Sequence, residues 1–143
     1  MADEHTTVRV TRGFLSKPEK IYDAWLNPAI ATKFLFSTPD GEMQKVEIDA
    51  KEGGKFTVIE KRNGEDIEHT GTYEKLQRPD RIIFTFAVPK FSAEETRVML
   101  DFTPNGNGSQ ITLVHEGVLP DYAEKTENGW TKMLNGLAAV VMD

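Results

Sequence analysis

From Val46 to His115 apolar side chains recur at every second position in one short run after another, and beyond Pro120 the repeat becomes helical. A period of two places every apolar side chain of a strand on one face, so this stretch reads as a meander of strands with one buried side. Turn chemistry separates the runs. Val46 and Ile48 are followed by Gly53-Gly54, Phe56 and Val58 by Asn63-Gly64, and Ile67, His69, Gly71 and Tyr73 by the Gln77 to Asp80 turn. Asn63-Gly64 is the strongest hairpin signal, because both residues tolerate the positive φ of a type I′ turn. Ile82, Phe84 and Phe86 come next, then Val98, Leu100 and Phe102, then Ile111, Leu113 and His115.

An earlier strand, Val8 to Phe14, makes seven, and a helical interruption follows it. Ser16 with Glu19 three residues on is a capping-box pattern with Pro18 in the first turn, and Asn27-Pro28 opens a second short helix expected to run through Phe34. The last segment, about Glu124 to Met142, carries Trp130, Met133, Leu134, Leu137, Ala138 and Val141 on one stripe. At 1.5 Å per residue it is about 28 Å long, enough to cross most of a domain whose radius of gyration is about 14 to 15 Å. Gly129 and Gly136 inside it each cost about 1 kcal/mol relative to Ala, and they share a face that can admit a backbone or a ligand. A lone antiparallel meander cannot bury its apolar face, so the long helix must cover it. The expected fold is α+β, a curved antiparallel sheet of about seven strands in the order β-α-α-β6-α, wrapped around the C-terminal helix. One domain spans 1–143, with residues 1–6 as a flexible tail.

The 143 residues suit one domain, which buries roughly 70% of its unfolded surface without disulfide or metal. Zero cysteines exclude thiolate chemistry, and a net charge of -6 argues against nucleic acid or an anionic membrane as partner. With no apolar run of spanning length and no leader-like start, the expected location is the cytoplasm.

The strings Lys20-Ile21-Tyr22-Asp23-Ala24-Trp25, Gly53-Gly54-Lys55-Phe56 and Gly71-Thr72-Tyr73 stand in a characteristic order with Pro79-Asp80-Arg81-Ile82-Ile83-Phe84-Thr85-Phe86, Ile111-Thr112-Leu113, His115 and Gly129-Trp130. Together they resemble the SRPBCC (START-related, birch-pollen-allergen-like) superfamily of helix-grip domains, and within it the activator of heat-shock-protein ATPase homologue-like family. One departure is Lys33-Phe34-Leu35-Phe36, where many members carry a tryptophan pair near the end of the second helix. The resemblance implies a cavity between sheet and terminal helix for lipid-like, polyketide or phenolic molecules, with a link to stress response. A chaperone or other protein is the alternative partner, and a cyclase or hydrolase using a cavity histidine is the second alternative.

The chemistry expected of the residues follows the same inward parity. Candidate ligand contacts are Phe56 and Val58, His69 and Tyr73, Phe84 and Phe86, Leu100 and Phe102, and His115 from the sheet. Trp130, Met133 and Leu137 come from the helix, and Phe34 and Phe36 stand at the mouth. Inward aromatics are more often plain core than cage; the implied curvature favours a cavity. His69 and His115 share parity with apolar neighbours. Such rings are most often hydrogen-bonded core residues; otherwise they orient a polar ligand edge beside Tyr73 or act as general bases. Two inward histidines make too small a ligand set for a metal, and no phosphate-binding loop appears, because Gly106-Asn107-Gly108 reads as a strand-to-strand turn. No cofactor is expected. The hydroxyls Ser37, Thr38, Ser92 and Thr96 form no recognisable triad. Glu60, Glu68, Asp101 and Glu116 read mostly as solvent-facing, and Glu65-Asp66 as a charged hairpin flank.

Overall fold

A computed structural model describes residues 5–36, 41–90 and 94–141. The chain runs β1 (Thr6–Phe14), α1 (Pro18–Leu26), α2 (Pro28–Ala31), β2 (Glu42–Ile48), β3 (Lys55–Arg62), β4 (Glu65–Gln77), β5 (Arg81–Phe86), β6 (Thr96–Asn105), β7 (Gly108–Val118) and α3 (Ala123–Val141). The strands form one antiparallel sheet in the order β1-β7-β6-β5-β4-β3-β2. Every neighbour from β2 to β7 is a hairpin partner, and β1 closes the far edge against β7. This is the expected curved sheet with its long terminal helix. β1 already begins at Thr6, paired with Val118, one residue inside the segment expected to be a tail.

Turn residues act as their chemistry requires. Asn63 and Gly64 both adopt positive φ, 52° and 81°, and join Arg62 to Glu65 across the β3–β4 hairpin. Asn27 caps α2 by accepting the Ala29 N–H at 3.0 Å. The capping box expected at α1 does not form. Lys17 occupies the N-cap position with no side-chain bond, while the Ser16 hydroxyl donates to the Val141 carbonyl at the end of α3. Pro18 at the first position already removes one N–H from the set needing a partner.

Three register shifts bend the sheet, and each switches the parity of the inward side chains. Between Met43 and Lys45 the shift brings Met43 into line with Val46 and Ile48. Between Tyr73 and Lys75 it passes the inward role from Tyr73 to Leu76. Near the end of β7, Gly117 at φ 80° moves it from His115 to Val118. An extra residue on one strand increases local twist, so these positions give the concavity that grips the helix.

Candidate functional site

Seven strands spaced about 4.8 Å apart span about 29 Å, whereas a helix with its side chains is about 10 Å wide. One helix cannot cover the concave face. α3 packs chiefly against β1 and also touches α1. On its other flank the sheet and the first turns of α3 stand apart, leaving an open cleft of about 690 Å³. That volume lies within the range of small-molecule sites. β3, β4, β5 and β7 each contribute one side chain, Arg62, His69, Phe86 and His115. Phe36 and Val88 come from the connecting segments. Lys125, Thr126, Asn128, Gly129, Trp130, Lys132 and Met133 come from α3.

His115 sits in a hydrogen-bonded chain whose direction is determined. The indole N–H of Trp130 can only donate, and it lies 3.0 Å from His115 Nδ1, so that nitrogen is the acceptor. The ring proton therefore resides on Nε2 and is donated to Thr96 Oγ1 at 2.7 Å. Thr96 in turn donates to the Phe86 carbonyl at 3.2 Å. Burial holds the pKa of His115 down from 6.5 to about 4, in keeping with the neutral form. With its lone pair occupied by Trp130, this imidazole cannot take a proton from a ligand as it stands. It is the satisfied histidine that the inward parity made the commoner outcome.

His69 is held differently. Its Nδ1 lies 3.1 Å from the Val58 carbonyl, which can only accept, so Nδ1 carries the proton and Nε2 keeps its lone pair. Burial, with a smaller contribution from the Arg62 charge, lowers its pKa to about 4. The ring stacks on Phe36 at 4.6 Å with 2° between the planes, and Phe86 lies parallel to Phe36 at 5.0 Å. Trp130 meets Phe36 and Phe86 edge-on. The cleft floor is thus an aromatic layer that includes the neutral His69 ring.

Phe36 reaches this layer through a backbone conformation that bulky residues avoid, φ 54°. Its N–H donates to the Met133 sulfur at 3.1 Å, and its carbonyl accepts from Arg62 Nη2 at 3.3 Å. Strained residues persist where their surroundings over-determine them, and here two cleft residues hold the backbone on both sides of the Phe36 Cα.

Glu60 is the exception among the carboxylates expected to be mostly solvent-facing. Phe56, Val58, Glu60 and Arg62 share the inward parity of β3, and Glu60 is 1% exposed, bonded to the Arg62 guanidinium. Glu68 is exposed, and Asp101 pairs with Arg81 at 2.7 Å, as charged strand residues on the outer face do. Removing one partner of a buried pair leaves the other uncompensated, and the cost follows the burial of the survivor. We therefore expect Arg62→Met, which takes a guanidinium from a carboxylate that is 1% exposed, to destabilise more than Glu60→Gln, which leaves a guanidinium 34% exposed and able to meet water. Urea midpoints of the two variants check the order; equal losses would contradict it.

Of the residues expected to meet a ligand, Phe36, His69, Phe86, His115, Trp130 and Met133 come together around the cleft. Phe56, Tyr73 and Phe84 instead border a separate cavity of only about 10 Å³, large enough for about one water. Burial there pushes the Tyr73 phenol up from its usual pKa, so it stays protonated. Val58, Leu100, Phe102 and Leu137 lie in the core and border neither cavity. Phe34, expected at the mouth, is 1% exposed and packs edge-on against Trp25 at 5.3 Å. Where the resemblance has a tryptophan pair, the two phenylalanines thus divide the work between core and cleft. Ser37, Thr38 and Ser92 lie outside the described residues. Arg62, Lys125 and Lys132 were not anticipated, although the parity of β3 and the i, i+4, i+7 spacing of Lys125, Gly129 and Lys132 carried the signal. Among the described residues no three His, Asp or Glu side chains gather as a metal-ligand set, and no helix is long and apolar enough to cross a membrane.

A curved sheet gripping one long helix, with a ligand-sized cleft between them, defines a helix-grip domain. Residues 16–142 match the family described as Activator of Hsp90 ATPase homolog 1-like protein, and the chain belongs to that family. A solved protein from Chromobacterium violaceum is 26% identical, with 94% of this chain and 96% of that one covered and a TM-score of 0.87. A Staphylococcus aureus protein of unknown function at 20% identity (TM-score 0.85, 96% and 94% covered) shares the fold. So does an AHSA1-like protein from Aeromonas hydrophila at 16% (TM-score 0.82, 95% and 92%). No curated protein matches the chain. The fold commonly binds hydrophobic ligands.

Proposed function

We propose that this protein binds a small apolar or aromatic molecule in the cleft between the sheet and α3, without transforming it. The observation that carries this reading is the placement of Phe36, Phe86, Trp130 and Met133 around a space of about 690 Å³. Apolar burial at about 25 cal/mol per Å² supplies the affinity, and His69 Nε2 is the acceptor that orients a ligand hydroxyl or amine. His115 positions Trp130, because the indole N–H is tied to its ring.

Gly129 offers a direct test. A Cβ built there meets no atom within 4 Å, so the position opens onto empty space beside the cleft. Gly129→Ala is expected to stabilise the protein by about 0.5 to 1 kcal/mol through helix propensity alone. Gly129→Leu is expected to keep the fold while filling the space and to weaken binding of the neutral probe N-phenyl-1-naphthylamine at least tenfold, measured by quenching of Trp130 in a Trp25→Phe background. Undiminished binding in Gly129→Leu, or no binding in the parent, would remove the cleft as the site.

A further inference from the structure

We infer that the ligand of this cleft is an amphiphilic anion, an apolar ring or acyl body carrying one carboxylate, sulfate or phosphate head. The inference rests on the cleft-binding reading above and adds the charge of the ligand. The chain as a whole is acidic, with 23 Asp and Glu against 17 Lys and Arg, so a pocket lined at random would be expected to include carboxylates. The cleft has the opposite sign. Arg62, Lys125 and Lys132 line it, and among the described residues no Asp or Glu does.

The arrangement of those cations fits a head group at the edge and a body inside. Lys125 and Lys132 are exposed on α3 and flank Gly129 along one helix face, seven residues apart. That spacing returns a side chain to nearly the same angle after two turns. Arg62 stands on the sheet side, half-buried, with its Nε on Glu60 and one Nη2 bond to the Phe36 carbonyl. A guanidinium has five N–H donors, so the donors not used in those bonds remain for a ligand oxygen. Glu60 is almost wholly buried and bonded to Arg62, so that pair is close to neutral and the net positive charge at the mouth comes from Lys125 and Lys132. Both cleft histidines are neutral, so the floor itself carries no charge and suits the apolar body. The polar face is therefore cationic at the rim, and the interior is aromatic.

Two probes that share a skeleton separate the charge from the body: 8-anilinonaphthalene-1-sulfonate carries a sulfonate, and N-phenyl-1-naphthylamine lacks it. We expect the sulfonate probe to bind about tenfold more tightly at low salt, and each probe to displace the other. The advantage should shrink to about threefold or less in 0.5 M potassium chloride and in Lys125→Gln/Lys132→Gln, whose exposed side chains can change without disturbing the core. Equal affinities, or an advantage undiminished by both salt and the double substitution, overturn the anion inference while leaving the cleft as a neutral site. Failure of both probes to bind overturns the cleft reading and the anion inference together.

Discussion

Ala in place of Gly71 should lower the melting temperature by about 10 °C, corresponding to about 3 kcal/mol or more, a large loss for a single added methyl group. Gly71 lies opposite Phe56 in the β3–β4 ladder. A Cβ there would sit 1.9 Å from the Thr85 carbonyl oxygen and 2.4 Å from the Phe56 ring. The aromatic ring occupies the volume that any side chain at 71 would need, and the neighbouring strand's backbone closes the other side. Gly13→Ala is the matched control, because its added Cβ would approach nothing closer than 3.8 Å. Trimming Phe56 to Ala in the Gly71→Ala protein should not rescue it, since the backbone oxygen remains. Full rescue would show that the ring alone makes the position small. Because Phe56 also stacks on Phe36 at 6.1 Å, the same change should disturb the cleft floor and weaken probe binding.

Acid should unfold the protein through its two cleft histidines before most carboxylates protonate. In the unfolded chain each imidazole takes up a proton near pH 6.5, whereas in the fold burial delays this to about pH 4. Between those values the unfolded state holds more protons, so stability rises with pH and is lost as pH falls from 6.5 towards 4. The gap corresponds to about 3 kcal/mol for each ring. For a domain whose total stability is typically 5 to 15 kcal/mol, losing both contributions is decisive. Urea midpoints at pH 7, 6, 5 and 4.5 should fall steeply in the parent and only weakly in His69→Gln/His115→Gln, whatever the starting stability of that variant. An unchanged slope in the double variant would assign the acid sensitivity elsewhere. The structural consequence is specific. Protonating His115 at Nδ1 breaks its bond from Trp130, and protonating His69 places a charge against Phe36 and Phe86, so probe binding should fall with the same midpoint.

The histidines also show how far the sequence carries. Parity alone put His69 and His115 on the concave face with Tyr73, Phe84 and Phe86, and the structure places both at the cleft. It could not tell that Trp130 occupies the lone pair of His115 while His69 keeps one, because that difference depends on where a helix far along the chain lies. Glu60 was missed for a different reason. Its inward parity was visible beside Phe56 and Val58, but a carboxylate on a buried face is costly unless a cation reaches it, and Arg62 two residues on supplies that partner. Reading the charge pair together with the alternation would have found it. Met43, Leu76 and Val118 escaped the pattern because each lies beyond a register shift that moves the inward role to the other parity.

By itself the sequence determined the elements, their order and, between the register shifts, the face each strand buries, because alternation, turn chemistry and helical spacing are local properties of the chain. Only the tertiary structure decided which inward aromatics are core and which border the cleft. Phe34 and Phe36 are two residues apart, yet one is sealed against Trp25 and the other forms the floor of the site. The physical reason is that a strand's pattern specifies a face but not what opposes it. One helix covers about a third of the width of this sheet, and where α3 settles, against β1, determines where space remains.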